Sequence, residues 1–236
     1  MWNISIIEWL LTIICWLVII AAMIKIYKKQ EQKPQIWKAT IAVFVGLSSL
    51  SLTWTLFDEP VQIAVLPLGL WVLWAILRHR GSWATYRKFA WLGFFANYLF
   101  VLSFLLNHLL SSFFYPTDEL SIYLADVKDA QLLAVHPSAQ ASPKLHLPQS
   151  FEGIIAVPSE SYDVFDWYNE IVFEQTTPVQ EKFPYLLLDT QAKQGSGIQP
   201  TIFVEANGKG FLVINKGKQF YFYLKDSMIG GGNTDD

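Results

Sequence analysis

The chain has 236 residues, 53% of them hydrophobic and 16% charged, with a mean hydropathy of +0.30; globular chains carry about 25% charged residues. Residues 1–115 hold nine Lys/Arg, four Asp/Glu and nine of the ten tryptophans, whereas residues 116–236 hold eight Lys/Arg against sixteen Asp/Glu. This rules out an ordinary soluble enzyme and a disordered chain, and the acidic second half argues against nucleic acid as a partner.

In chain order, four apolar runs come first, approximately Ile6 to Ile24, Ala39 to Phe57, Val61 to Leu77 and Phe89 to Phe114. Each is near the ~20 residues that a helix needs to cross hydrocarbon. The first keeps its positive charges behind the apolar stretch and has no small-residue cleavage site, so it reads as a retained span and not as a cleaved leader. On the second, Ser48, Ser51 and Thr55 share one helical face and Gly46, Ser49 and Thr53 another, which predicts close packing on two sides. The third contains Pro67 and Gly69 and is expected to span with a kink at Pro67. Together the runs predict a four-helix transmembrane bundle over residues 1–115, with Trp9, Trp37, Trp54 and Trp91 as interfacial anchors.

The basic residues fall in two alternate loops: Lys25, Lys28, Lys29, Lys33 and Lys38, then Arg78, Arg80, Arg87 and Lys88. By the positive-inside rule both loops are cytoplasmic, and the N-terminus, the Asp58-Glu59-Pro60 turn and everything after Phe114 lie outside. Glu8 and His108 then sit toward the outer surface, as interfacial groups or a hydrogen-bonded pair between the first and fourth helices. Asn97 lies deeper and reads as an interhelical contact. The single cysteine, Cys15, excludes thiol-oxidising chemistry, and His108 is the only histidine in a span, which excludes bis-histidine haem ligation.

Residues 116–227 predict a small extracytoplasmic α+β domain, with residues 228–236 as a flexible tail. Leu120 to Leu124, Ala130 to Val135 and Phe151 to Val157 read as strands, separated by a loop from His136 to Pro148. A helix is expected over Glu160 to Gln175, with Val164, Phe165, Tyr168, Ile171 and Val172 on one face and Glu160, Asp163, Asp166, Glu170 and Glu174 on the other. Tyr185 to Leu188 reads as a strand. A C-terminal antiparallel meander follows, Thr201 to Glu205, Gly210 to Ile214 and Gln219 to Leu224, turned at Asn207-Gly208 and Lys216-Gly217.

The candidate site is the acidic helix face: Asp163, Asp166, Glu170 and Glu174 around Trp167, the only tryptophan outside the spans. Acids at i,i+4 spacing repel one another, and a basic partner surface anchored on Trp167 offsets that cost; the plainer reading is a solvated helix face. No catalytic, cofactor or metal motif is present: His136 and His146 lack ligand spacing, and Ser138, Ser142 and Lys144 lack an elbow motif. Without disulfides or a usable glycosylation sequon, the outer domain fits a bacterial envelope. The expectation is a multi-pass cell-membrane protein whose outer domain binds or regulates another membrane or envelope protein. The alternative is a transporter or channel subunit acting through the bundle; an outward-facing envelope hydrolase is less favoured.

Overall fold

The computed structural model describes residues 5–31, 33–57, 59–140, 143–148, 150–157 and 181–230. The chain divides into two compact units, Ile6–Leu110 and, together with Met1–Ser5, Ser111–Asp236.

The first unit starts with α1, Ile6–Lys28. Along one side its apolar side chains Ile6, Leu10, Ile13, Leu17 and Ile20 are exposed, while Cys15 and Ile19 on the other side are buried. Helix α4, Trp83–Phe114, is 32 residues long. These are the two helices long and apolar enough to cross a membrane among the described residues. They run antiparallel. The Cys15 thiol lies 3.8 Å from the carbonyl of Leu99, the Trp16 and Phe100 rings meet edge to face at 5.6 Å, and the Gln30 side-chain amide donates to the Thr85 carbonyl at 2.9 Å.

The second and third apolar runs are not continuous helices, and the expected four-helix bundle is not formed. The chain instead makes α2, Ile36–Gly46, then a hairpin of β1, Leu50–Leu56, and β2, Glu59–Leu66, then α3, Leu68–Arg78. The physical reason lies in residues 50–56, Leu-Ser-Leu-Thr-Trp-Thr-Leu, whose strict alternation matches the two-residue period of a strand. β-branched and aromatic side chains reinforce that choice. Pro67 does not kink a helix. It stands at the strand-to-helix junction as the N-cap of α3, where its missing N–H costs no hydrogen bond and Leu66 before it is kept extended. The expected helical faces through Ser48, Ser49, Ser51, Thr53 and Thr55 are therefore absent.

Gly46 does serve close packing, together with Gly93 and Gly69. A Cβ on Gly46 would run into the carbonyl of Ala90, one on Gly93 into that of Val43, and one on Gly69 into that of Val45. Small residues let α2 approach both α3 and α4 at backbone distance. Around this crossing lie Ala39, Ala42, Val43, Leu70, Leu73, Phe89, Ala90 and Phe94, all buried.

In the second unit the segment at Leu120 is a single helical turn, α5, Leu120–Tyr123, and not the expected strand. Its apolar residues close one core: Leu120 and Tyr123 are fully buried, and Tyr123 meets Phe222 edge to face. Six strands follow in the order β3-β6-β7-β8-β9-β5, every neighbour antiparallel. They are β3 Gln131–Ala134, β5 Ala156–Val157, β6 Tyr185–Leu188, β7 Thr201–Val204, β8 Gly210–Asn215 and β9 Lys218–Tyr223. Of the expected strand Phe151 to Val157 only the last two residues pair in this sheet. The short β4, Lys144–Leu145, pairs with β10, Ile229–Gly230, so residues 229 and 230 belong to a strand and not to a free tail.

Two turns of the meander differ in kind. At Lys216-Gly217 both residues have positive φ, 49° and 81°, as a two-residue type I′ hairpin requires. At Asn207-Gly208 only the glycine does, φ 70°. There the loop is longer, closed by the Gly208 N–H donating to the Glu205 carbonyl at 2.8 Å and by the Lys209 N–H donating to Asn207 Oδ1 at 2.7 Å.

The strand register builds two apolar faces. Ala134, Tyr185, Val204, Phe211, Phe222 and Ala156 form one row across all six strands. That row lies on the main core, with Phe151, Leu120 and Tyr123 packed over it. The next row, on the opposite face, is Leu133, Leu186, Phe203, Leu212, Tyr221 and Val157.

Candidate functional site

The acidic face proposed from the sequence, Asp163, Asp166, Trp167, Glu170 and Glu174, lies outside the described residues. The described residues bring chemistry together at three other places.

The first is the end of unit Ile6–Leu110 that carries the hairpin tip. Phe57 stacks on the imidazole of His108, ring centroids 3.8 Å apart and planes 11° apart. The antiparallel register of α1 and α4, set by Cys15 with Leu99 and Gln30 with Thr85, puts Glu8 at the level of His108. Glu59 stands at the start of β2, directly across from Leu56. The opposite end of the same two helices holds both basic loops, tied by the Gln30 to Thr85 hydrogen bond. Unit Ile6–Leu110 is thus electrostatically polarised along α4, and the segregation expected from the sequence is spatial.

Between those ends the hairpin rests on α4 through polar contacts. The Asn97 amide donates to the Leu47 carbonyl at 3.1 Å, and the Tyr98 hydroxyl donates to the Ala64 carbonyl at 2.8 Å. Asn97 is an interhelical contact in kind, although its partner is the residue just past α2. One face of the hairpin carries Leu52, Trp54, Val61 and Ile63; the other carries Ser51, Thr53, Thr55 and Gln62, since Thr53 pairs with Gln62 and Ser51 with Ala64. Thr53, Thr55 and Gln62 are exposed. Sequence reasoning placed these hydroxyls on a helix; the alternation of residues 50–56 was the signal that located them on a strand.

The second place is the Glu205 carboxylate at the end of β7. Glu205 is 9% exposed; it accepts from the Tyr221 hydroxyl at 2.9 Å and lies 3.8 Å from the Lys182 ammonium. A buried carboxylate with a hydroxyl donor and a cation beside it is a satisfied structural group. Gly210 is required there, because a Cβ would meet the Glu205 carboxylate and the Tyr221 ring.

The third is an open cavity of about 520 Å³ whose lining includes Leu147, Ile154, Tyr223, Leu224 and Met228 together with the polar His146, Lys225 and Asp226. The two histidines of the domain are engaged differently. His136 shares a 2.8 Å hydrogen bond with Ser138 Oγ on an exposed turn, and the Ser138 N–H donates to His136 Nδ1 at 3.2 Å. That is a local turn closure two residues long. The His146 ring instead lies against Gly230. The structure therefore does not assemble Ser138, Lys144 and the two histidines into one constellation among the described residues.

The ionisation of Tyr123 is perturbed by its surroundings. Burial, and secondarily the charge of Asp118, raise its phenol far above the ordinary tyrosine value, and its hydroxyl donates to the Thr117 carbonyl at 2.9 Å. This is a core tyrosine held neutral. Among the described residues no group of three or more His, Cys, Asp or Glu side chains is arranged to hold a metal ion. Comparison with protein-family models, with curated proteins and with solved structures finds no match to this chain.

Proposed function

We propose that this protein is an integral membrane protein of a bacterial envelope, anchored through α1 and α4, which presents its antiparallel sheet domain on the outer side to bind or regulate another membrane or envelope protein. The observation that carries this reading is the joining of both basic loops at one end of two long apolar helices, through Gln30 and Thr85. Cationic loops stay on the cytoplasmic side, so the opposite end, with the hairpin tip and the start of the sheet domain, faces out. The half-exposed apolar side chains along the outer side of α1, opposite the buried Cys15 and Ile19, support lipid as its surroundings. The recognition surface in this reading is the acidic stripe Asp163, Asp166, Glu170 and Glu174 with Trp167 as its anchor, and the partner surface is basic.

Crosslinking in the native membrane, followed by identification of the attached proteins, tests this. A captured envelope or membrane protein, lost on Trp167→Ala and weakened at low salt by Asp166→Asn with Glu170→Gln, is the expected result. Recovery of this chain alone contradicts it.

One observation favours a second reading, a transporter or channel subunit. If α4 spans, the Tyr98 to Ala64 contact sets the hairpin beside the middle of that helix, and non-helical backbone at membrane depth is stable only when buried in protein or lining a water-filled cavity. The exposed hydroxyls of Thr53 and Thr55 with Gln62 would line such a cavity. Water-soluble thiol reagents separate the readings: Thr53→Cys reacts from the aqueous phase only if a cavity is there.

A further inference from the structure

We propose that the slot between α1 and α4 at the cationic end of unit Ile6–Leu110 binds one anionic phospholipid, with its phosphate on Arg87 and Lys88 and an acyl chain along Trp91, Leu92 and Phe95. The inference rests on the membrane reading and deepens it, by naming the lipid class that the anchor selects.

Three observations lead to it. The first is shape. An open slot of about 540 Å³ is lined by Ile26 of α1 and by Arg87, Lys88, Trp91, Leu92 and Phe95 of α4. Arg87, Trp91 and Phe95 recur every four residues and form one row of the helix, with Lys88 and Leu92 as the row beside it. Both cations therefore stand at one end of the slot, and the apolar side chains run away from them. Trp91 and Phe95 stack, ring centroids 5.5 Å apart and planes 24° apart, which gives the slot a flat apolar wall. Along α4 the step from Arg87 to Phe95 is about 12 Å, most of the ~15 Å of hydrocarbon in one leaflet.

The second is charge. Neither Arg87 nor Lys88 has an acidic partner among the described residues. The two basic loops together hold nine Lys/Arg and a single acid, Glu31. The antiparallel register of α1 and α4, set by Cys15 with Leu99 and Gln30 with Thr85, brings Lys25, Lys28 and Lys29 to the level of Arg87 and Lys88. An anionic headgroup complements this end, and the guanidinium fork of Arg87 suits a phosphate. The choline cation of a zwitterionic lipid is repelled there.

The third is exposure. Trp91 is 41% and Phe95 57% exposed, so the apolar wall is open to the surroundings of α4. A soluble anion such as inorganic phosphate engages the cations and leaves that wall uncovered. An anionic phospholipid covers both parts, with its phosphate at the interface and its chain on the rings. Basic pockets between spans on the cytoplasmic side recognise anionic headgroups by this chemistry.

Native mass spectrometry of the detergent-purified full chain, titrated with phosphatidylglycerol or phosphatidylcholine, tests the slot. Wild type should retain one phosphatidylglycerol with a preference of about tenfold or more, since each cation near the headgroup adds to the attraction. Arg87→Gln with Lys88→Gln should abolish the preference, whereas the charge-matched pair Lys33→Gln with Arg80→Gln should keep it. Phe95→Gln should weaken retention, and millimolar inorganic phosphate should not displace the lipid. No preference in wild type overturns the proposal, as does an equal loss in the two charge-matched pairs, which marks general attraction to a basic surface. Ready displacement by inorganic phosphate also overturns it, since the site would then take a soluble anion. Flotation on phosphatidylcholine vesicles keeps the two failures apart: a chain that floats without headgroup preference loses the slot and keeps the membrane anchor, and a chain that does not float loses both.

Discussion

The ring of Phe57 lies 3.8 Å from the imidazole of His108, centroid to centroid, with the planes 11° apart. Phe57 also holds a left-handed backbone, φ 54°, which L side chains adopt at a cost. The stack therefore has to offset a strained turn, and the two terms separate by substitution. Phe57→Ala loses the stack and keeps the strain; Phe57→Gly loses the stack and removes the strain. Amide exchange at Thr55 and Leu56 should rank wild type slowest, then glycine, then alanine, with about 1 kcal/mol between the two variants. Equal exchange in both would mean that the turn is held by something other than this pair.

The backbone contact of α2 with α4 makes a second prediction. Because a Cβ on Gly93 meets the Val43 carbonyl, Gly93→Ala should force the helices apart and cost about 1–3 kcal/mol, the range for overpacking a close contact. Thermal stability of the detergent-purified protein checks it, and an unchanged melting midpoint in Gly93→Ala would contradict it.

Tyr123 sets a pH limit on the sheet domain. Its folded pKa is raised, by burial first and the Asp118 charge second, while the unfolded chain titrates near the ordinary value of about 10. A raised pKa contributes stability that is complete below the unfolded value and is lost as pH climbs through it toward the folded one. The domain should thus lose stability above about pH 10, and Tyr123→Phe should flatten that loss while costing about 1 kcal/mol at neutral pH for the hydrogen bond to Thr117. Parallel alkaline slopes in the two proteins would refute the assignment.

The Lys216-Gly217 turn supplies a further local test. Lys216 has a φ of 49° where Asn is the preferred residue, so Lys216→Asn should stabilise the domain by a few tenths to about 1 kcal/mol. Gly217→Ala, at φ 81°, should destabilise it by about 1 kcal/mol or more. Chemical denaturation midpoints measure both.

These elements also explain which parts of the fold can be read from the chain. The helices α1 and α4 are legible because long unbroken apolar runs have few alternatives, and β6 to β9 because apolar runs end at turn residues such as Lys216-Gly217. Runs two and three mislead for a physical reason: mean hydropathy measures burial in an apolar phase and says nothing about period. Leu50 to Leu56 is apolar enough for a span, yet its alternation belongs to a strand. Leu120 to Tyr123 misleads at the other extreme, since four buried residues satisfy helix and strand patterns alike. Of the candidate site, the charge segregation was legible in the spacing of basic loops. The Phe57–His108 stack was not, because a hairpin tip and a distant helix meet only after the hairpin is known. The acidic stripe with Trp167 rests on helical spacing alone.

The central claim is that the basic loops face the cytoplasm while the sheet domain faces out. Single cysteines at Thr117 and at Ser82, each in the Cys15→Ser background, test it on intact cells with a membrane-impermeant thiol reagent. The account predicts labelling at Thr117→Cys without lysis, and labelling at Ser82→Cys only after lysis. Labelling of Ser82→Cys on intact cells, with Thr117→Cys protected until lysis, would contradict it.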